Sequence, residues 1–416
     1  MKRIAYITLG CKLNYAETST YERKLAAEGF EAVPWSKGAD IFVVNTCTVT
    51  EHSDKKSRNI IRKLHRQNPD SLIFVTGCYA QLKRAEIEAI EGVTKVFGAE
   101  EKSLVVPAVL DAVRGTDCCR HDLGTFFPAY SSGERTRSFL KVQDGCDYKC
   151  HYCTVPYARG ESRNIPIAEI IPQAEAIAAE GIREIVLTGV NTGDFGKSTG
   201  ETFFELIREL DKVEGIERYR ISSIEPNLLT EEMIDWITSG SKFLPHYHIP
   251  LQSGCDEILK AMGRRYDTEA FARKISYIRE KTEKPGGPKV FFGIDVIVGF
   301  PGETDELFMK TYNFLKDIVK PAFIHIFPYS RRAGTPAAER KDQVQDSIKT
   351  QRVQMLEELC ARLHEEFIES NKGVSEKVLF ESTDRNGMME GYTGNYIRIS
   401  RPYDKEQIGN IIDITI

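Results

Sequence analysis

Short apolar runs alternate with helical periodicity along the first 115 or so residues. Runs at 4–8, 41–45 and 72–76 are typical of buried parallel strands, and the segments between them place apolar side chains at helical spacing. This alternation of strand and helix predicts an α/β domain over residues 1–115, built on a doubly wound sheet.

A second series of the same kind begins at Ser138 and continues to about residue 370. Helical patterns, such as that at 167–179, separate six apolar runs that we interpret as strands, at 139–142, 184–188, 219–222, 246–249, 291–298 and 322–327. Six such units predict a partial (βα)6 barrel of the TIM type over residues 138–370, with its chemistry at the carboxyl ends of the strands. The polar stretch 116–137, which contains Cys118 and Cys119, predicts a linker.

The pattern changes again after a long helical stretch at 344–370. Residues 371–416 alternate polar and apolar positions between glycines, which predicts a small C-terminal β-barrel. The alternation stops at Ile416, so we expect this barrel to lack its last strand. Aromatic and basic residues capable of stacking bases and binding phosphates occur here, although solvated charges on an ordinary barrel explain them equally well: Tyr392, Tyr396, Arg398, Arg401 and Tyr403.

Composition adds limits on location and on partners. With 416 residues, 41% of them apolar, the chain can bury several cores. Its net charge of -5 argues against a uniformly basic nucleic-acid binder, but a basic run from Lys55 to Arg66 on a predicted helix could meet phosphates or could simply be solvated. No signal peptide and no membrane-spanning apolar stretch is visible, so we expect a cytoplasmic protein without membrane contact.

Three cysteines at C-x3-C-x2-C spacing, Cys146, Cys150 and Cys153, carry the strongest chemical signal. Three thiolates on one loop can hold three irons of a 4Fe-4S cluster and leave the fourth iron open. A zinc loop is the alternative, but zinc sites usually have four protein ligands, and no further cysteine or histidine follows at zinc-finger spacing. The spacing therefore favours an iron-sulfur cluster.

Three other cysteines each follow one of the predicted N-terminal strands. Cys11, Cys47 and Cys78 come directly after the three apolar runs. Because the carboxyl ends of parallel strands meet at one edge of a sheet, these thiols should converge. They predict a second three-cysteine cluster, with three buried structural cysteines as the alternative.

Both sets of motifs resemble those of the radical S-adenosylmethionine (SAM) methylthiotransferases. The resemblance covers essentially the whole chain and is carried by Gly10-Cys11-Lys12-Leu13-Asn14 and by the stretch from Val142 to Gly160, with Tyr152 just before the last cysteine. It implies an N-terminal three-cysteine domain, a radical SAM barrel and a C-terminal TRAM domain. Within the family these motifs are most similar to the branch that acts on threonylcarbamoyladenosine in tRNA.

That resemblance implies a transferase that adds a methylthio group to position 2 of the adenine in threonylcarbamoyladenosine, at tRNA position 37. It implies two 4Fe-4S clusters, two SAM molecules per turnover, the tRNA anticodon stem-loop as partner and a reductase such as flavodoxin or ferredoxin, while the sulfur donor is left open. One SAM would give a methyl group to a sulfide on the auxiliary cluster, held by Cys11, Cys47 and Cys78. The other would yield the radical that removes hydrogen from the adenine.

The resemblance and the repeated strand-end positions also assign individual residues. Recurring polar groups at corresponding strand ends outline one pocket. Arg159 and Arg163 would pair with the threonyl carboxylate, since arginine matches a carboxylate with two donors. Residues expected to contact SAM, or to let backbone approach the nucleoside, are Tyr152, Gly189, Asn191, Ser223, Gln252, Asp295, Gly299 and Phe327.

Two alternative functions remain at this level. The same chemistry could act on isopentenyladenosine in tRNA or on an aspartate of a ribosomal protein. A non-catalytic iron-sulfur protein that binds RNA or senses redox state is the alternative from a different class. The SAM-shaped pocket around Cys146 to Cys153 argues against that last interpretation.

Overall fold

A computed structural model describes residues 2–116, 126–133 and 136–416 of the chain. Half of the predicted linker, residues 117–125 and 134–135 with Cys118 and Cys119, lies outside the described residues. Among the described residues, no helix combines the length and the apolar character needed to cross a membrane.

The N-terminal unit is a five-stranded, all-parallel sheet in the order β2-β1-β3-β4-β5. Its strands are β1 (Arg3–Thr8), β2 (Glu31–Ala32), β3 (Ile41–Thr46), β4 (Leu72–Gly77) and β5 (Val93–Val96). Its helices are α1 (Lys12–Ala27), α2 (Glu51–Gln67), α3 (Cys78–Leu82), α4 (Arg84–Glu88) and α5 (Val105–Arg114).

Helices cover both faces of this sheet, which confirms the predicted doubly wound domain. Strand side chains alternate between the faces. Val43 therefore packs in one core with Leu25 of α1 and Val109 of α5, whereas Val44 packs in the other with Ile61 of α2. The strand order reverses between β1 and β3, and a parallel sheet binds ligands at the carboxyl ends beside such a switch point.

The second unit contains six parallel strands in two hydrogen-bonded sheets, β6-β7-β8 and β9-β10-β11. The strands are β6 (Arg137–Lys141), β7 (Glu184–Thr188), β8 (Arg218–Ile221), β9 (His246–Gln252), β10 (Phe291–Val298) and β11 (Phe323–Pro328). Helices lie between and after them: α6 (Val155–Arg159), α7 (Ile167–Ala179), α8 (Phe203–Leu210), α9 (Glu231–Thr238), α10 (Asp256–Ala261), α11 (Thr268–Thr282), α12 (Asp305–Asn313), α13 (Pro336–Glu339) and α14 (Asp346–Glu369).

Two parallel bridges, Tyr219 to Phe243 and Ser223 to His248, join the sheets into one open barrel. The predicted partial (βα)6 barrel is therefore confirmed. Side chains of Tyr247 and Ile249 pack outward under the helices, so the alternate residue His248 faces the interior of the barrel.

The chain ends in a four-stranded antiparallel sheet in the order β14-β13-β12-β15. Its strands are β12 (Ser375–Arg385), β13 (Met388–Tyr392), β14 (Arg398–Pro402) and β15 (Ile411–Thr415). This sheet packs against the amino ends of the barrel strands, where Arg220 of β8 donates hydrogen bonds of 2.8 Å to the carbonyls of Thr393 and Gly394.

The aromatic residues of this sheet divide between two environments. Tyr396 stacks on Tyr392 with 4.9 Å between ring centroids, and the Arg137 guanidinium lies over both rings. These two tyrosines therefore help to close the bottom of the barrel, whereas Arg398 and Tyr403 are exposed.

Candidate active site

Cys11, Cys47 and Cys78 follow β1, β3 and β4 at the carboxyl edge of the N-terminal sheet. Gly10 has φ +99°, and a β-carbon added there would lie 2.8 Å from Cys47 Sγ. Gly77 has φ +103°, and a β-carbon there would lie 2.3 Å from the Thr46 carbonyl oxygen. Glycine is needed at both positions because the backbone has a positive φ there and the loops after β1, β3 and β4 are in contact.

The pKa shifts of Cys47 and Cys78 also indicate that the three thiols lie close together. Burial, followed by the nearby Cys78 and Cys11 thiols, raises the pKa of Cys47 to about 11. Burial also raises the pKa of Cys78, which Arg159 opposes. Thiolates held this close together need a cation between them, as a metal centre provides.

The second triad lies on the loop between β6 and α6, and each sulfur accepts a hydrogen bond. The Tyr148 amide donates to Cys146 Sγ at 3.4 Å, and the Val155 amide donates to Cys153 Sγ at 3.4 Å. Arg264 Nη1 lies 3.1 Å from Cys150 Sγ. Donors directed at sulfur stabilise cluster-bound thiolates and set the potential of the cluster.

The spacing of both triads fits an iron-sulfur cluster better than a single metal ion. Two thiolates on one zinc ion lie about 3.8 Å apart, given tetrahedral bonds of about 2.3 Å. Among the described residues, metal-ligating groups of three whose ligand atoms all lie within 4.8 Å of one another occur only at His248, Asp295 and His325. Neither cysteine triad closes around one ion, and each leaves room for a larger centre.

His151, inside the second triad, is turned away from the cysteines. Its Nδ1 is 2.8 Å from the carbonyl oxygen of Ala261, and its ring lies against Gly263. Both contacts engage the imidazole with the chain at the end of α10.

The second triad and Cys78 of the first border one cavity between the N-terminal sheet and the top of the barrel. This cavity of about 350 Å³ is lined by Cys146, Cys150 and Cys153 and also by Cys78. Residues 48–50, which directly follow Cys47, line it as well. A substrate in this cavity would therefore reach both cysteine sets.

Six of the eight predicted cofactor residues line this cavity: Tyr152, Asn191, Ser223, Gln252, Asp295 and Phe327. Gly189 and Gly299 lie behind it. A β-carbon on Gly189 would lie 3.0 Å from Gln143 Oε1, and one on Gly299 would lie 2.4 Å from Lys349 Cγ. These two glycines shape the loops that carry the cavity wall.

Asn191 gives the clearest indication that the cavity is a ligand-binding site. The residue is 4% exposed, and neither its amide oxygen nor its amide nitrogen has a hydrogen-bond partner among the described residues. Gln252 beside it in the cavity has φ +69°, an uncommon conformation for a residue other than glycine. A ligand with both donors and acceptors, such as the amino and carboxylate groups of SAM, would satisfy Asn191.

Arg159 and Arg163, predicted to meet the substrate, lie outside the cavity lining. Arg159 is buried and donates to Asp144 Oδ1 at 2.8 Å and to Asn14 Oδ1 at 2.5 Å. Arg163 donates to the Glu161 carbonyl and lies 3.5 Å from Asp144 Oδ2. Pairing of either arginine with substrate stays a prediction, and both guanidinium groups already have protein partners.

Sequence reasoning missed three side chains that build the site. Gln143, buried before the cysteine loop, donates to the Gly145 carbonyl at 2.7 Å and accepts from the Val190 and Asn191 amides at 2.9 and 3.0 Å. Arg264 bridges the Cys150 sulfur and Glu225, and Arg332 lines the cavity. Gln143 precedes the cysteine motif and could have been noticed there, whereas no local pattern marks the two arginines.

Two family models match the chain. The Radical SAM superfamily matches residues 140–315, and a family described as Uncharacterized protein family UPF0004 matches residues 3–98. The first range covers the barrel up to the turn after α12, and the second covers the N-terminal sheet with its three cysteines.

Full-length relatives have names that refer to tRNA methylthiotransferases. The chain is 39% identical to the threonylcarbamoyladenosine tRNA methylthiotransferase MtaB of Bacillus subtilis, over 100% of this chain and 94% of that one. It is 36% identical to the protein of the same name from Aquifex aeolicus, over 100% of both chains. A tRNA-2-methylthio-N(6)-dimethylallyladenosine synthase from Carboxydothermus hydrogenoformans is 34% identical, over 91% of this chain and 88% of that one.

Solved structures support the fold. The radical SAM methyltransferase TsrM from Kitasatospora setae, determined with cobalamin and a [4Fe-4S] cluster, superposes with a TM-score of 0.58. The match covers 81% of this chain and 77% of that one at 16% identity, so it concerns the fold alone.

Proposed function

Because the chain belongs to the radical SAM methylthiotransferase family, we propose that it adds a methylthio group to position 2 of the adenine in threonylcarbamoyladenosine, at position 37 of tRNA. The observation that carries this proposal is the cavity bordered by Cys78 and by Cys146, Cys150 and Cys153. Identity of 39% to a relative named for this nucleoside, against 34% for one named for the dimethylallyl nucleoside, supports the choice of substrate.

Each cysteine set would hold one 4Fe-4S cluster, the auxiliary cluster on Cys11, Cys47 and Cys78 and the radical SAM cluster on Cys146, Cys150 and Cys153. When bound, the clusters and two SAM molecules per turnover supply the radical that takes hydrogen from the adenine carbon and the methylthio group that replaces it. The two positions border one cavity, so the nucleoside would not need to move far between them.

The side chains of the chain would bind and orient SAM. Asn191 offers an unpaired amide to the methionyl end, and Ser223 and Gln252 line the cavity beside it. Tyr152 lies at the radical triad, where its hydroxyl is 3.3 Å from Arg264. Orientation of this kind lowers the barrier because the reacting atoms are already close together.

Apolar walls would exclude water from the reacting centre. Val190, Ile297 and Phe327 line the cavity among the polar groups. Exclusion of water strengthens electrostatic interactions and protects a reactive intermediate from side reactions.

The tRNA would enter with its anticodon stem-loop beside α2. This helix follows the cavity-lining residues 48–50 and exposes Lys55, Lys56, Arg62 and Lys63 to solvent. Basic side chains at the mouth of a cavity favour the phosphate backbone. Electrons would come from a reductase such as flavodoxin or ferredoxin.

The proposal is tested by mass spectrometry of nucleosides after anaerobic reaction of the reconstituted, reduced enzyme with SAM and tRNA. One tRNA carries threonylcarbamoyladenosine and the other carries isopentenyladenosine. A methylthio mass gain on the first alone supports the proposal. A gain on the second alone would assign the enzyme to the sister branch, and absence of 5′-deoxyadenosine with either tRNA would overturn the radical chemistry.

A further inference from the structure

Three neighbouring parallel strands of the barrel, β9, β10 and β11, carry His248, Asp295 and His325. In the register of these strands His325 lies directly opposite Asp295. His248 lies opposite Gly293, two residues before Asp295. Side chains two residues apart on a strand point to the same face of the sheet. Because His248 faces the interior of the barrel, the other two side chains face it as well.

The three side chains bring two imidazoles and one carboxylate together. His248 Nε2 lies 2.7 Å from Asp295 Oδ1, and the ring centroids of His248 and His325 are 4.9 Å apart. One ligand atom of each residue lies within 4.8 Å of the other two. Among the residues that the structure describes, no other three metal-ligating side chains converge this closely.

His325 has no role in the fold that its hydrogen bonds explain. Within the described part of the chain, neither of its ring nitrogens takes part in a hydrogen bond, and the Asp295 carboxylate bonds only to His248. An ordinary histidine-aspartate hydrogen bond would account for two of the three residues. It leaves the second imidazole, directed to the same place, without an explanation.

Gly293 keeps a side chain out of this group. A β-carbon there would lie 3.7 Å from His325 Nε2 and 4.0 Å from His248 Cδ2, in contact with both rings. The backbone does not require glycine at this position, because Gly293 is not among the residues with positive φ and pairs in regular register with both neighbouring strands. Glycine weakens the interior of a strand and often marks a place where a ligand comes close.

The separations within the group fit one small divalent ion. Bonds of about 2.0–2.2 Å from the metal to nitrogen and oxygen place tetrahedral ligand atoms about 3.3–3.6 Å apart. The separations observed, from 2.7 Å to at most 4.8 Å, bracket this value, so side-chain rotations would close the group on one ion. Two imidazoles and a carboxylate suit Zn²⁺ and similar transition-metal ions, and three protein ligands leave a coordination position open.

The group forms the layer of side chains directly beneath the catalytic cavity. The residues two positions further along the three strands, Pro250, Ile297 and Phe327, line that cavity, and Asp295 itself reaches it. An ion held by Asp295 would therefore lie in the floor of the cavity. Its open position would take an oxygen atom from water or from a ligand bound there.

We propose that His248, Asp295 and His325 bind one divalent transition-metal ion of the Zn²⁺ type. This site is separate from the two cysteine sets, because it contains no thiol and lies on other strands. It does not depend on the proposed function.

The test uses the holoenzyme with both clusters reconstituted, incubated anaerobically with Zn²⁺ and freed of unbound metal by gel filtration. Zn²⁺ is the probe because its X-ray absorption edge is separate from that of the cluster iron. We expect about one retained zinc per chain without loss of iron. The zinc absorption spectrum should show nitrogen and oxygen at about 2.0–2.2 Å with scattering from two imidazoles, and no sulfur at about 2.3 Å.

Variants locate the ion within the chain. Asp295→Asn and His325→Gln should each lose the retained zinc, because two strong ligands remain. His364→Gln is the matched control, since this histidine of α14 contacts the Ala322 carbonyl outside the group and its loss should leave zinc retention as in wild type. Iron per chain should equal that of wild type in all three variants.

Three results would overturn the site. Failure of the wild-type holoenzyme to retain zinc would do so without any variant. Sulfur in the first coordination shell would place the ion on cysteines instead. Zinc retained equally by wild type, Asp295→Asn and His325→Gln would place it elsewhere on the chain. None of these results changes the assay for methylthio product, so the proposed function is tested separately.

Discussion

Arg159 Nη2 donates a hydrogen bond of 2.5 Å to Asn14 Oδ1, which joins the helix after the radical SAM cysteines to the helix that follows Cys11. Asn14 is fully buried, and its Nδ2 donates to the carbonyls of Leu9 and Thr46 at 2.8 and 3.0 Å. One amide thus ties the ends of β1 and β3 to the barrel. This contact positions the two cysteine sets relative to each other.

Loss of the Asn14 amide should affect the auxiliary centre first. In Asn14→Ala, two carbonyls and the Arg159 guanidinium lose a buried partner, which costs about 1–3 kcal/mol of unfolding free energy. We expect less iron on the auxiliary set and slower methylthiolation, with SAM cleavage retained. Iron analysis in a background lacking Cys146, Cys150 and Cys153 isolates that set, and exposed Asn59→Ala is the control. Unchanged iron in Asn14→Ala would contradict the positioning role.

Variants of the two cysteine sets should lose different reaction products. Alanine at Cys11, Cys47 or Cys78 should leave some cleavage of SAM to 5′-deoxyadenosine and abolish methylthio product. Alanine at Cys146, Cys150 or Cys153 should remove both products, because SAM would no longer have an iron to bind. Chromatography of deoxyadenosine and mass spectrometry of nucleosides measure the two, with Cys360→Ala, buried beside β11, as the matched control. Methylthio product from a variant of the first set would refute the auxiliary assignment.

Arg264 should raise the reduction potential of the radical SAM cluster. Its Nη1 lies 3.1 Å from Cys150 Sγ, and a cation and donor at a cluster sulfur stabilise the reduced state. We expect Arg264→Met to shift the potential to more negative values and to slow SAM cleavage. Potentiometric titration followed by electron paramagnetic resonance reports the shift, with Arg273→Met on the exposed face of α11 as control. A potential equal to wild type would show that the contact has no electronic role.

The positions of residues at the carboxyl ends of predicted parallel strands indicated which distant residues lie close together in the fold. Cys11, Cys47 and Cys78 each follow a parallel strand, and parallel strands of one sheet end at one edge, so their convergence could be predicted from the apolar runs alone. The same reasoning placed Asn191 and Gln252 in one pocket at the top of the barrel.

Side-chain partners between domains could not be predicted in this way. Arg159 follows the radical SAM cysteines by a few residues, which suggested a substrate contact, but the docking of α1 surrounds it with Glu17, Asp144 and Asn14. The ammonium of Lys12 lies 6.0 Å from the Phe139 ring centroid of β6 for the same reason. Such placements depend on how two separately predicted domains pack, and neither periodicity nor motif spacing contains that information.

Acid should destabilise the fold through His325. Burial, and then His248, lowers the pKa of His325 to about 4, below the usual value of about 6.5 for an unfolded chain. Between these values the unfolded state binds more protons, so stability is fully present above about pH 6.5 and declines as the pH falls towards about 4, by at most about 3 kcal/mol. Thermal midpoints of wild type and His325→Gln across this range measure the effect, which the variant should reduce. Exposed His52→Gln should retain it, and identical profiles for wild type and His325→Gln would contradict the assignment.

The exposed basic face of α2 should carry part of the electrostatic attraction for tRNA. Replacing Lys55, Lys56 and Arg62 by glutamine removes three charges next to the cavity-lining residues 48–50. Each phosphate contact contributes roughly 0.7–0.9 to the slope of log affinity against log salt concentration, so three lost contacts should reduce that slope by about two to three.

Binding of the anticodon stem-loop, measured by anisotropy at several salt concentrations, gives the slope directly. SAM cleavage without tRNA should be unchanged, because these side chains lie outside the cavity lining. Glutamine at Arg208, Lys212 and Arg273 removes the same number of charges from α8, the turn after it and α11, and should leave the slope as in wild type. Equal slopes for the α2 variant and this control would mean that α2 is a solvated face and that the tRNA backbone binds elsewhere.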